Sequence, residues 1–348
     1  MRSPLRAITV VAAAVALLAL FLRNVDLWRV GADIVRARPE WLLLSLVTMP
    51  VNVAIRSYRW QYLLEPLGAT SFGNAFRATV VGFAASSVLP ARAGEVIRPY
   101  FLARQESHHE GMTATGAFAT IILERVLDII TVLSLFASYV FVFGRDLRVE
   151  NPAAFAWLQR IAVLGVVAAA GGFAILFVLA SHPERLGQFA GRLTRVMPSL
   201  ATRLGGAIER FGLGLGAVRR PARLFIALLW SLPLWLCIAA GIWAGAVAFD
   251  LDIPFTGTFP MIQLLAVGVA VPTPGGVGGF HAAFRYAATA LFHAPDDGAV
   301  AAAIVVHLFT QVPVLLLGLV FAAQAGLNVG AMRRLASEPQ PGILRVTP

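Results

Sequence analysis

The sequence predicts an all-α integral membrane protein: about six full transmembrane helices and two Pro/Gly-broken re-entrant hairpins, arranged as an inverted repeat. Three observations predict it. Of 348 residues, 58% are hydrophobic and 13% charged, with a mean hydropathy of +0.77, against about 25% charged in a soluble domain. Six apolar runs, 5–22, 40–56, 116–143, 160–180, 223–249 and 299–323, have the length of a bilayer span. Two more, 73–104 and 258–292, are apolar but interrupted by proline and glycine at matching places.

The N-terminal run, MRSPLRAITVVAAAVALLALFL, follows a basic start, as in a signal peptide. It ends in FLRNVD with no small-x-small cleavage site, so it reads as an uncleaved first helix. The stretch that follows, RNVDLWRVGADIVRARPE, reads as an outer loop. Every one of the 28 basic residues is arginine. With the N-terminus in the cytoplasm and each broken segment returning to its own side, 19 arginines fall inside and seven outside, while Arg125 and Arg285 lie in apolar segments. That bias obeys the positive-inside rule and puts both termini in the cytoplasm of a cell-membrane protein. The net charge of +10 suits the anionic inner leaflet rather than nucleic acid, because the arginines are scattered through loops between apolar runs. Segment 181–223 carries eight arginines and apolar residues at helical spacing, which reads either as basic amphipathic helices on the inner leaflet or as a connector under the bundle. Residues 1–330 form one polytopic membrane domain and 331–348 a short cytoplasmic tail. The single cysteine, Cys237, excludes an intrachain disulfide, and no Cys/His cluster has zinc spacing; no metal or cofactor is expected.

The broken segments repeat. VVGFAASSVLPARAGEVIRPY aligns with LLAVGVAVPTPGGVGGFHAAF, Pro90 on Pro272 and Gly94 on Gly276. Glu124 lies 34 residues beyond Pro90, and His307 lies 35 beyond Pro272, each inside the next span. Three full spans intervene, an odd number, so the second hairpin enters from the opposite face. Non-helical backbone at membrane depth is tolerated where it is buried in protein or lines a cavity, and inverted repeats around broken helices are a transporter architecture. Pro274, Gly275, Gly276 and Gly278 therefore form a hairpin tip whose amides and carbonyls face a polar cavity; the alternative is a tight turn with no ligand.

Charges in apolar runs mark the candidate site. Glu124, Arg125 and Asp128 interrupt FATIILERVLDIITVL, with the two acids four apart on one helix face. They line a translocation path or lock two helices as an ion pair. Arg92, Glu95 and Arg98 stand at the first tip, where arginine's planar donor fork suits phosphate. Arg56, Arg59 and Trp60 close the second span and read first as an interfacial belt. His281 and Arg285 are four apart on the second hairpin, as are His307 and Gln311 on the last span; two facing histidines admit a proton-linked role beside a packing one. Asp250 and Asp252 form a D-x-D pair that reads as an interfacial loop.

The ordered set NVAIRSYRW, LPARAGEVIRPYFL, LERVLDII, PTPGGVGGF and HLFTQVPVLLLG, spanning 52–318, resembles the lysylphosphatidylglycerol synthase transmembrane-region family, the flippase-like domain of multiple peptide resistance factor. The resemblance implies an eight-segment membrane domain that translocates a phospholipid or glycolipid, here as a stand-alone member without the aminoacyltransferase domain. It is not itself an enzyme on this reading. The alternatives are an integral membrane transferase acting on a lipid-linked sugar, and a non-catalytic subunit of an envelope-lipid synthase. Nothing resembles an ATP-binding loop. Where the family has a Glu after PGGVG and an Arg in the last span, this chain has His281 and His307. If the family pair is an ion pair, two histidines replace it here, and the gate is expected to titrate near neutral pH.

Overall fold

The computed structural model describes residues 21–22, 25–89, 93–107, 111–143, 152–181, 215–216, 220–271 and 273–326. The first predicted span apart from Phe21 and Leu22, Arg92, Pro90, Pro272, most of 181–223 and the tail 331–348 lie outside these residues.

The described residues form helices and connecting turns, with no strand among them. The predicted outer loop contains a short helix, α1 (Leu27–Arg36), because Asp26 accepts the amides of Trp28 and Arg29 and so caps its first turn. Val30 anchors α1 in the core, while Trp28 on its other face is exposed. Then follow α2 (Pro39–Leu64), α3 (Phe72–Val88), α4 (Gly94–Gln105) and α5 (Ala114–Ser138). The chain continues through α6 (Pro152–Ser181), α7 (Pro221–Ala248), α8 (Thr258–Ala270), α9 (Gly279–Phe292) and α10 (Asp296–Gln324). Ser71 caps α3 through the amide of Asn74, and Thr113 caps α5 through that of Gly116. Of these helices α2, α5, α6, α7 and α10 are long and apolar enough to cross a membrane. The chain is an integral, multi-pass membrane protein. Large apolar side chains such as Leu164, Val167 and Leu316 face outward, as lipid-facing residues do.

Two helices run longer than the sequence predicts. The second span, expected over 40–56, continues to Leu64, and the span expected from residue 160 begins at Pro152. Small residues seat the spans against one another. Ser45 donates to the carbonyl of Gly241 at 2.8 Å, and a Cβ on Gly241 would meet Thr48 Oγ1 at 2.4 Å, so α2 and α7 approach closely.

The broken segments are helical hairpins. At a rise of about 1.5 Å per residue, α4, α8 and α9 with 12, 13 and 14 residues fall short of a bilayer. In each hairpin, glycine backbones touch near the tip. A Cβ on Gly94 would fall 1.7 Å from the Gly82 carbonyl oxygen, and one on Gly279 would fall 2.1 Å from that of Gly268. The same stacking sets Cβ of Arg98 against Gly82 and Cβ of Ala283 against Gly268. The structural equivalent of Gly94 is therefore Gly279, a correction of three residues to the alignment with Gly276. Sequence identity around the tips favours one register, but backbone contact between the arms fixes the other.

The path of α10 gives the hairpins' directions. It starts three residues after α9, at the base of the second hairpin. Halfway along, His307 reaches the carbonyl of Gly275 in the second tip, and Gln311 reaches Ser87 at the end of α3. Farther on, Gly318 packs on Val80 and Ala84, and Phe321 on Phe76. Thus α10 runs from the base of one hairpin, past both tips, toward the base of the other. The hairpins enter from opposite faces and meet at mid-depth. The first arm of each lies against the span that follows the other: α3 on α10, and α8 on α5, where Gln263 donates to the Val132 carbonyl at 2.9 Å.

Candidate functional site

Two polar clusters lie at mid-depth, one on each side of α3. The first is built on α5. Its apolar run holds Glu124 and Asp128 one turn apart, both buried, and α2 presents Arg56 and Arg59 to them from its own one-turn spacing. Arg59 bridges the acids: Nη1 to Asp128 Oδ1 at 2.8 Å, and Nη2 to Glu124 Oε1 at 3.2 Å. Arg56 Nη1 donates to the other Asp128 oxygen at 3.1 Å, and Arg98 of α4 donates to Glu124 Oε2 at 2.7 Å. Arg125 lies 3.6 Å from Asp128 Oδ2 and 3.9 Å from Glu95 Oε1, both beyond hydrogen-bond contact. The network joins the first hairpin to α2 and α5, and α7 adds one neutral acceptor and one neutral donor. Ser231 meets Arg59 Nη1 at 2.5 Å, and Trp235 Nε1 donates to Asp128 at 3.1 Å. The Arg98 guanidinium sits 3.8 Å over the Trp60 ring, whose Nε1 donates to Thr120 Oγ1 at 2.9 Å.

This overturns the interfacial reading of Arg56, Arg59 and Trp60. Arg59 and Trp60 are fully buried and Arg56 nearly so, while Tyr58 points outward to Trp230. The longer helix carries these side chains inside the bundle, where two carboxylates compensate them. Ser231, Trp235 and Thr120 were not foreseen. Their signal in sequence is slight: two polar-capable residues four apart in an apolar run, and a threonine one turn before Glu124.

The cluster is not electroneutral. Four guanidiniums, of Arg56, Arg59, Arg98 and Arg125, face three carboxylates, of Glu95, Glu124 and Asp128. One positive charge is in excess among the described residues. Nε of all four arginines and Nη2 of Arg98 are buried without a hydrogen-bond partner there. Such donors carry a full desolvation cost, and an anion would relieve it. An arginine fork fits the oxygens of a carboxylate or a phosphate.

The second cluster is the meeting point of the tips. Gly275, Gly276 and Gly278 all have positive φ, 60°, 71° and 84°, a conformation that glycine adopts without strain. The turn lets the Gly278 amide donate to His281 Nδ1 at 3.3 Å. His307 Nε2 meets the Gly275 carbonyl at 2.9 Å, and its Nδ1 lies 3.3 Å from His281 Nε2. One tautomer assignment gives a continuous chain: with each ring's single proton on Nε2, His281 donates to His307 Nδ1 and His307 donates to Gly275, while the equally short Nδ1–Nδ1 approach, 3.3 Å, carries no proton. The rings otherwise pack against Phe21 and Phe280. Pro274 begins this turn. Gln311 accepts from Ser87 at 3.1 Å and so ties the first hairpin to the same span.

Arg285 is not brought to this cluster. It pairs with Asp296 and donates to the Phe21 carbonyl, which fastens the base of the second hairpin. Asp250 of the D-x-D pair sits in a turn at φ 55° and pairs with Arg38. The predicted residues thus divide into an ionic cluster (Glu95, Arg98, Glu124, Arg125 and Asp128), a tip cluster (Gly275, Gly276, Gly278, His281, His307 and Gln311), and Arg285 apart.

The family described as Lysylphosphatidylglycerol synthase TM region matches residues 7–318. Over 114 residues the chain is 31% identical to UPF0104 membrane protein MJ1595 of Methanocaldococcus jannaschii, covering 32% of each chain. Over 321 residues it is 25% identical to Glycosyltransferase AglD of Haloferax volcanii, covering 84% of this chain and 50% of that protein. The chain thus spans about a third and a half of the lengths of these curated relatives.

Proposed function

Because the chain belongs to the lysylphosphatidylglycerol synthase TM region family, we propose that it is a lipid translocase, moving an anionic or glycosylated envelope lipid between leaflets. One observation carries this reading: two helical hairpins enter from opposite faces and touch at mid-depth, beside a buried cationic cluster. Each hairpin is a gate to one leaflet. Arg98 and Arg125 hold the negative headgroup, and Glu124 keeps Arg98 oriented. Movement is driven by a proton gradient, the membrane potential or downhill lipid flow. The protein works in the cell membrane with both termini in the cytoplasm, beside an envelope-lipid synthase that supplies its substrate.

Liposomes test this reading. Fluorescent phosphatidylglycerol, aminoacyl-phosphatidylglycerol and a glycolipid are placed in the inner leaflet, and an impermeant outer reagent reports their arrival. Movement of one class is expected, lost in an Arg125→Gln protein that retains its melting temperature. Movement of no class would overturn the reading. The name of the Haloferax relative favours a second one, an integral membrane transferase on a lipid-linked sugar. Turnover in detergent, where no second compartment exists, would favour it.

The histidine chain makes the second gate acid-sensitive. Each ring uses one nitrogen as donor and the other as acceptor, so a second proton on either ring breaks one of the three bonds and loosens the tip. Transport is expected to fall once the pH is low enough to protonate either buried ring, and to lack that fall in the His281→Gln/His307→Gln double variant. A flat native profile would remove the pH role.

A further inference from the structure

The ionic cluster has one open edge. Glu124, Asp128, Arg56, Arg59 and Arg98 are buried, whereas the side chains of Arg125 and Glu95 keep 35% and 37% exposure. Their ion pair is also the loosest in the cluster, at 3.9 Å. Arg125 lies near the middle of α5, a membrane-crossing helix, and Glu95 lies in the first turn of α4, next to the mid-depth tip. The surface beside them is apolar and outward-facing: Val96 follows Glu95, and Ile129 stands one turn beyond Arg125, 44% and 52% exposed. These two side chains are flanked by outward-facing apolar residues, so their exposed edge lies on the side of the helix bundle. Ionisable groups at such depth are costly unless they pair or serve a path. This pair is neither tightly closed nor sealed.

We propose that the slit between α4 and α5 is a lateral passage for the phosphate of an anionic phospholipid. The phosphate displaces Glu95 from Arg125, while the acyl chains stay in the bilayer against Val96 and Ile129. This rests on the translocase reading and adds the substrate group, the route and the counter-ion. The excess positive charge supplies the attraction. Behind Arg125, the buried Nη2 and Nε of Arg98 lack partners among the described residues and supply further donors. Glu95 neutralises Arg125 between passages and competes with the phosphate for it. That competition prevents the anion from being held too tightly to leave.

The test is binding to the full chain in detergent. A bimane fluorophore is attached at Val96→Cys or Ile129→Cys in a Cys237→Ala background; Cys237 is the only native cysteine. The protein is titrated with phosphatidylglycerol carrying a quencher on its acyl chain. Saturable quenching is expected at both positions and not at Leu316→Cys, an outward-facing position on α10. Unlabelled phosphatidylglycerol should compete, whereas phosphatidylcholine and inorganic phosphate should not. Glu95→Gln is expected to tighten the phosphatidylglycerol titration by about tenfold or more, and Arg125→Gln to abolish its saturation with the melting temperature retained. Equal quenching by both lipids, displacement by inorganic phosphate, or indifference to both substitutions would overturn the proposal. The assay needs no movement between leaflets. Binding of this kind without transport in liposomes would refute the translocase and leave the lateral site standing. Transport without it would do the reverse.

Discussion

Replacing Glu124 with alanine is expected to be the most damaging single change in the protein, destabilising it by about 3–5 kcal/mol. Glu124 is wholly buried and accepts from Arg59 and Arg98. Its loss leaves four guanidiniums against two carboxylates, and Arg98 with no carboxylate contact. The energy at issue is less the attraction lost than the charge left uncompensated in a poorly polarisable interior. Thermal unfolding in detergent, followed by tryptophan fluorescence, measures the change. Trp60 under Arg98 and Trp235 on Asp128 place two reporters inside the network. Removing Arg98 as well should restore part of the loss. The Glu124→Ala/Arg98→Met double variant is expected to unfold at a higher temperature than Glu124→Ala, with a coupling of about 0.5–3 kcal/mol. Strict additivity would mean that the Arg98–Glu124 contact contributes nothing of its own.

A methyl group on Gly94 or Gly279 should be nearly as costly. The obstructing atom in each case is the carbonyl oxygen of the facing arm, 1.7 Å from the new Cβ for Gly94 and 2.1 Å for Gly279. A flexible side chain could swing aside, but a helix backbone moves only with its helix. Gly94→Ala and Gly279→Ala therefore force the hairpin arms apart and shift the tip that each arm carries. A loss of at least about 3 kcal/mol is expected, at or beyond the upper end for overpacking. For Gly279 a loosened contact between His281 and His307 should accompany it. Gly171→Ala and Gly172→Ala are the matched controls. Both glycines lie inside α6 with open space where a Cβ would go, so alanine there should be neutral or stabilising by up to about 1 kcal/mol. If all four variants melt alike, the close approach of the arms is not what holds the hairpins.

The contrast between these two sites explains how far the sequence could be read. Glu124 and Asp128 stand out because a charge in an apolar run is an anomaly that composition alone exposes. The Pro/Gly breaks stand out for the same reason, and so do His281 and His307. Arg56 and Arg59 do not. They lie where an apolar run ends, and an arginine there is equally at home at the membrane surface or turned inward. The choice depends on carboxylates about seventy residues away on α5, and on how far α2 continues. The glycine contacts are hidden for a related reason. Gly82 and Gly268 carry no mark that separates them from the glycines of α6, since the contact belongs to a pair of helices. The alignment of Gly94 with Gly276 failed on this point, because the second tip holds an extra turn of left-handed glycines that a linear comparison cannot weigh.

By itself the sequence determined the class of the protein, the approximate place of the apolar segments that the described residues contain, the two breaks and their opposed entry. These follow from hydrophobicity, chain length and parity, which are properties of residues in order. Only the tertiary structure decided that the two tips meet on one helix, that among the described residues four arginines converge on three acids with a charge in excess, and that Arg125 and Glu95 are the exposed edge of that cluster. Each of these depends on distances of a few ångströms between groups far apart in the chain. Electrostatic compensation and steric contact act over such distances and are blind to sequence separation.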